Sequence, residues 1–242
     1  MEAGVHMIKT YIAFDLETTG LIPEENEIIE IGALKVKDGK VAERFIAFLK
    51  PREPISPKIS QLTGITDAMV ETARPTKEII GEFVDFCEDY TLVGHNVMFD
   101  FKFTKTTAQS HGFKFEKQGI DTLNIAKTVH RDFPSRSLEF LCKKYNIIND
   151  KAHRAYHDAL ATAKIYQTMG HYYAAEHPDL FTPKPLCYKI KKVQPMTGKQ
   201  KAYLNQLIKY HKIEYSGDIG ELTRSEASRL IDSLISDNGT LH

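Results

Sequence analysis

Along residues 9–17 apolar and polar positions alternate, with Ile12, Phe14 and Leu16 on one face and Ala13, Asp15 and Glu17 on the other. That period predicts a strand with two acids on one side. Residues 27–37 are β-branched and apolar, Asp38-Gly39 is a two-residue hairpin signal, and 41–49 returns, so three strands are expected to open the chain as a meander. Helical spacing follows at 56–62 and 76–88, then a short apolar strand at 91–93. Further helices are expected over 99–110, 121–130 and 137–145, and a long alanine-rich one over 154–173. A leading meander followed by helices and one further strand predicts a mixed α/β sheet with helical cover.

The pattern breaks around Pro183 and Pro185, and from Lys184 to Lys212 every charged side chain is a lysine. A catalytic-sized domain is therefore expected over 8–178, a Pro/Lys-rich linker over 179–195, and a helix-loop-helix module over 196–238. Thr197-x-x-Gln200 and Thr223-x-x-Glu226 are capping boxes that open helices over 199–210 and 224–236. Lys189, Lys191, Lys192, Lys199, Lys201, Lys209 and Lys212, with Tyr188, Tyr203 and Tyr210, combine phosphate neutralisation with stacking platforms. A solvated face or a protein-docking module is the competing reading.

Globally the charge says little, because 32 basic residues balance 32 acidic ones. Evidence for a polyanionic partner has to come from local features. Cys87, Cys142 and Cys187 are odd in number, widely spaced and without a Cys-x-x-Cys pair, which suits reduced thiols and neither a disulfide framework nor a structural zinc site. The N-terminus has no basic stretch leading into an apolar one, and no segment approaches the roughly 20 apolar residues of a membrane span. A cytoplasmic protein with no membrane partner is the expectation.

Local chemistry is more informative. Asp15 and Glu17, two apart on a strand, place their carboxylates on one face, where repulsion and desolvation are costly without a cation. Asp100 follows the apolar strand at the start of a helix, and Asp158 lies on the alanine-rich helix. On a continuous helix His153 would point about 140° away from Asp158, so to share a site it must lie in the loop leading into that helix. His157 neighbours Asp158 and would face aside. Four carboxylates without cysteines form a hard, oxygen-only set that favours Mg²⁺ or Mn²⁺ over Zn²⁺. No G-x-x-x-x-G-K-[ST] run and no G-x-S-x-G elbow is present, which disfavours a P-loop nucleotide hydrolase and a serine acyl transferase.

These residues carry a family resemblance. Asp15-x-Glu17-Thr18-Thr19-Gly20 resembles the first exonuclease motif of the DnaQ-like (DEDDh) 3′→5′ exonucleases, Gly94-His95-Asn96-x-x-Phe99-Asp100 the second, and His153-x-x-x-x-Asp158-Ala159 the third. The resemblance spans about residues 8–175. Leu62-Thr63-Gly64-Ile65-Thr66 is similar to the family's substrate-side His-Gly-Ile-Thr loop, with Thr63 where a histidine is common. What the resemblance implies is a ribonuclease H-like fold, with a mixed five-stranded sheet, helices on both faces, and here a small helical C-terminal module. It also implies two-metal hydrolysis, with Asp15, Glu17, Asp100 and Asp158 holding two Mg²⁺ or Mn²⁺ ions and His153 taking a proton from water. Histidines ordinarily titrate near pH 6.5, which suits a base at neutral pH. On the substrate side, Leu21 and Phe99 would wedge or stack against terminal bases, amides at Thr18 and Gly20 would hold the sugar end, and Thr63, Ile65 and Asn96 would complete the contact. The implied partners are single-stranded DNA or RNA 3′ ends and a DNA polymerase or other replication or repair protein. A 3′-trimming exoribonuclease shares the motif set. An idle binding module does not need costly clustered carboxylates.

Overall fold

Tyr11–Thr18 forms β1, and its period-two pattern sends Tyr11 and Ala13 into one core layer and Ile12, Phe14 and Leu16 into the other. The computed structural model describes residues 7–191, 194–215 and 217–240, so Lys192 lies outside the described residues. β2 (Ile28–Lys37) pairs antiparallel with β1 and with β3 (Lys40–Phe48). Asp38 and Gly39 join β2 to β3 at φ 51° and 78°, the left-handed pair that two-residue hairpins require. β4 (Leu92–Gly94) runs parallel to β1, and β5 (Gln118–Asp121) runs parallel to β4. The sheet order is β3-β2-β1-β4-β5-β6.

That makes six strands, one more than the five expected. The sixth, β6, is the two-residue Lys184–Pro185 on the outer edge of β5, the kind of place in a sheet where proline is tolerated. Leu186 then donates its N–H to the Lys117 carbonyl at 2.9 Å and is buried over Gly119. Phe181 is buried as well. The stretch expected as linker from 179 is thus part of the sheet-bearing unit, which ends at Lys189. Prolines stop a helix, but they do not stop an edge strand.

Helices α1 (Pro57–Thr63) and α2 (Asp67–Val70) close a small satellite core with Ile29, Ile55 and Ile65. On one face of the sheet lie α3 (Thr76–Cys87) and α4 (Val97–Ser110), sealed by Phe83, Phe101 and Phe103. Each of these rings is fully buried and contributes roughly 2–3 kcal/mol of apolar transfer. On the other face lie α5 (Thr122–Val129), α6 (Leu138–Lys144) and α7 (Ala155–Tyr173). Ala155, Ala159 and Ala163 keep the sheet-facing surface of α7 low. The closest approach is at Gly32, where an added Cβ would lie 2.0 Å from Tyr156 N. Cys87 and Cys142 are buried, Cys187 is exposed, and all three are free. Among the described residues no helix is long and apolar enough to cross a membrane.

From Ile190 onward the chain forms a second unit. Its helices α8 (Gly198–His211) and α9 (Arg224–Asn238) pack through Leu204, Leu207 and Leu234, and both capping boxes are formed. α8 contains no acidic residue, and Lys199, Lys201, Lys209 and Lys212 are exposed. Tyr210 is exposed and Tyr203 packs in the small core. Tyr188, grouped with them as a stacking platform, belongs instead to the first unit, where its hydroxyl donates to Glu24 and Lys102 lies over its ring.

Candidate active site

β4 ends at Gly94, so beyond Ala13 the β1 edge has no paired strand. The Leu16 N–H left there is taken by Asp100 Oδ1 at 3.0 Å, an example of a buried backbone donor finding a side chain when its ladder stops. That bond brings the acid of the second motif against the first. A register shift between Glu17 and Thr18 ends the regular pairing with β2 just where the acids stand. From the other layer comes Asp158, on the first turn of α7, with both oxygens held: Asn149 Nδ2 donates to Oδ1 and His153 N to Oδ2, each at 2.7 Å.

His153 lies ahead of α7, in the turn, at φ 62°. One ligand atom each from Glu17, His153 and Asp158 fall within 4.8 Å of one another. His157 is on the helix itself, beside the Tyr156 ring. Glu17, His153 and Asp158, but not His157, line an open cleft of about 320 Å³ with Asp15, Asp100, Asn96, Phe99 and Ser137–Glu139.

Electrostatically the cluster is short of positive charge. Burial, then repulsion from Asp100, Asp158, Glu17 and Glu30, raises the Asp15 carboxyl well above the usual range. Glu17 is pushed up to about 8, first by burial and then by Asp158 and Glu30, with Arg154 pulling the other way. Burial also raises Asp100, against the opposing Leu16 N–H, and Asp158, against the Asn149 hydrogen bond. Acids so arranged take up protons unless a cation lies among them. An oxygen-rich donor set with one imidazole suits a hard divalent ion, so Asp15, Glu17, Asp100 and Asp158 fit a metal site.

The substrate-side residues divide. Asn96, at φ 73°, has its N–H on Asp121 Oδ1 at 2.9 Å and lines the cleft, as does Phe99, which packs on Phe103. Leu21 is 80% exposed. Thr18 is buried and donates its hydroxyl to the Gly20 carbonyl at 2.7 Å, while Gly20 faces Asn26 so closely that a Cβ would clash. Thr63 and Ile65 are buried away from the residues that line the cleft. Ile65 is fully buried with Ile29, Ile55 and Val70, and the Thr63 hydroxyl donates to Ile59 O and accepts from Ile65 N. In this loop Ile65 joins the satellite core, after the left-handed Gly64 (φ 70°), while Thr63 is buried on its own backbone hydrogen bonds.

Four further residues emerge only in the fold. Glu30 and Arg154 form an ion pair behind the acids, Asn149 orients Asp158, and Asp121 caps α5 while holding Asn96. The sequence signal for Glu30 is an acid in the apolar run Ile28-Ile29-Glu30-Ile31. Asn149 has no comparable signal.

The family model described as Exonuclease matches residues 12–166. The chain is 40% identical over 161 residues to the DNA polymerase III PolC-type of Staphylococcus haemolyticus (strain JCSC1435), a match covering 66% of this chain and 11% of that protein. The chain therefore spans about a ninth of the length of that relative. Among solved structures it is similar to exonuclease I, with TM-score 0.62, 20% identity, 72% of this chain covered and 42% of the other. It is equally similar to the nuclease domain of 3′hExo, a DEDDh family member bound to rAMP, with TM-score 0.62, 19% identity, and 73% and 96% covered. Both likenesses concern the fold, and with the match over residues 12–166 they accompany one conclusion: the chain belongs to the exonuclease family, on a ribonuclease H-like fold.

Proposed function

We infer that the protein is a metal-dependent 3′→5′ exonuclease that releases nucleoside 5′-monophosphates from single-stranded or frayed ends, acting in the cytoplasm on DNA in proofreading or repair. The observation that carries this reading is the meeting of Asp15, Glu17, Asp100 and Asp158, from three separated segments, with the loop-borne His153 at one open cleft. Similarity to a DNA polymerase III PolC-type supports DNA as substrate and a polymerase or other replication or repair protein as partner.

Asp15, Glu17, Asp100 and Asp158 would hold two Mg²⁺ or Mn²⁺ ions, which when bound let the four carboxylates ionise together, activate water and stabilise the leaving oxygen. His153 Nδ1 or Nε2 accepts the proton of the attacking water, whose oxygen bonds to the terminal phosphorus as the bond from phosphorus to the 3′ oxygen breaks. The departing 3′ oxygen takes a proton from solvent and His153 returns its own to solvent, so the products are a nucleoside 5′-monophosphate and a strand one nucleotide shorter with a 3′-hydroxyl. Asp158, held through both oxygens, keeps residue 153 at the cleft. Phe99 and the exposed Leu21 offer apolar surface to terminal bases. The lysines of α8, without a neighbouring acid on their helix, neutralise strand phosphates remote from the reacting one.

The test is a cleavage assay on matched 5′-labelled DNA and RNA strands, free or blocked at the 3′ end, in Mg²⁺ and in EDTA. A ladder shortening from the free 3′ end of DNA, abolished by EDTA, is expected. A ladder on RNA alone would make it an exoribonuclease, and binding with no cleavage in any condition would make it an idle module.

A further inference from the structure

Glu30 stands directly across the sheet from Glu17. Like charges opposed on neighbouring strands repel, yet Glu30 is 1% exposed. Three donors converge on its carboxylate: Arg154 Nη2 on Oε1 at 2.9 Å, and Arg154 Nε and Ala155 N on Oε2 at 3.2 and 3.1 Å. Two come from one guanidinium, the planar fork that a lysine cannot reproduce, and the third is the first amide of α7, where a helix favours an anion. The pair thus ties the residue just before α7, and the first within it, to the sheet at β2.

His153 is the residue immediately before that tie. Its backbone is held on the other side by Asp158 Oδ2, and it keeps φ 62°, a conformation that non-glycine residues hold only when the surroundings impose it. Neither Glu30 nor Arg154 lines the cleft. We propose that the Glu30–Arg154 pair is a positioning clasp that fixes His153 for proton transfer, acting through the backbone of residues 153–155 without touching substrate. This rests on the reading of His153 as the base. A displacement of about 1 Å at such a group can lower a rate about 100-fold, and the fork holds the one loop residue whose placement matters most.

A double-mutant cycle separates the clasp from plain helix docking. His153→Ala, Arg154→Ala, the double variant and Arg154→Lys are compared in steady-state cleavage of a 5′-labelled single strand. Mn²⁺ affinity of each metal-free protein is measured by calorimetry. Arg154→Ala should lower kcat about 10–100-fold with KM within about twofold of the parent, and Arg154→Lys, which keeps a cation beside Glu30, should leave Mn²⁺ Kd within about twofold. In the His153→Ala background it should add nothing, because the group it places is gone. Arg154→Lys, which keeps the charge without the fork and is the fallback if the alanine variant does not fold, should stay within about threefold of Arg154→Ala. Losses that multiply in the double variant, or Mn²⁺ affinity of Arg154→Lys falling in step with its kcat, would overturn the clasp and leave the pair as a simple anchor for α7. If His153→Ala alone keeps nearly full activity, the base reading fails first and the clasp with it. An unimpaired Arg154→Lys would show that charge, and not the fork, is what Arg154 supplies.

Discussion

Without metal, the acidic cluster should make the protein less stable as pH rises, and Glu17 shows by how much. Its carboxyl, at 4.5 in ordinary surroundings, is pushed up to about 8 in the folded chain. Below pH 4.5 both folded and unfolded states hold the proton and nothing is lost. Between the two values the unfolded state releases it and the folded state does not, so stability falls by about 1.4 kcal/mol per pH unit. By pH 7 that amounts to roughly 3 kcal/mol. Asp15, Asp100 and Asp158, also raised, act in the same direction. Glu17→Gln removes the ionisation and leaves a buried amide that costs about 1–2 kcal/mol. The net gain is on the order of 2 kcal/mol, or roughly 4–8 °C in Tm for a domain of this size. Thermal melts of parent and variant in EDTA across pH 5 to 8.5 would measure it. At the acid end the variant should lie about 1–2 kcal/mol below the parent; as pH rises the parent's curve should fall through the variant's and end below it, and saturating Mg²⁺ should abolish the parent's slope. Parallel curves, or a variant less stable than the parent at pH 8, would refute the electrostatic account and make Glu17 an ordinary structural residue.

Asp15→Ala and Asp158→Ala should abolish cleavage while the metal-free protein stays folded with Tm equal to or above the parent's; a core-sized loss of Tm in EDTA would count against metal ligation. His153→Ala should cost about 10²–10⁴ in rate and flatten the acid limb of the pH–rate profile, while His157→Ala should cost far less; a larger loss at His157 would reverse the assignment. Replacing Lys199, Lys209 and Lys212 by Gln should flatten the slope of log affinity against log salt on single strands by about 2, that is about 0.7 for each lost contact. An unchanged slope would favour a docking role for α8. Gly32→Ala drives a Cβ into the backbone of Tyr156 and should destabilise by about 3 kcal/mol or more, read as a fall in the midpoint of urea unfolding.

What could be read from the chain alone followed from local rules. Alternation at residues 11–17 set both the strand and the face of its acids, and Asp38-Gly39 set the hairpin. Capping boxes marked the starts of α8 and α9, and the five-residue offset from Asp158 required His153 to stand ahead of its helix. Each depends on residues within a few positions of one another. What tertiary structure alone decided lies at long range. β5 and β6 are four and two residues long, too short to carry a period, and exist because β4 offers an edge and β5 then offers another. Ile65 is apolar in either role; only the packing of α1 and α2 against Ile29 turned it inward. Glu30 and Arg154 are 124 positions apart, and no spacing rule joins a strand acid to a loop arginine. They meet because Gly32 lets α7 settle onto β2, where a buried carboxylate opposite Glu17 needs a cation and the residue just ahead of the helix brings one.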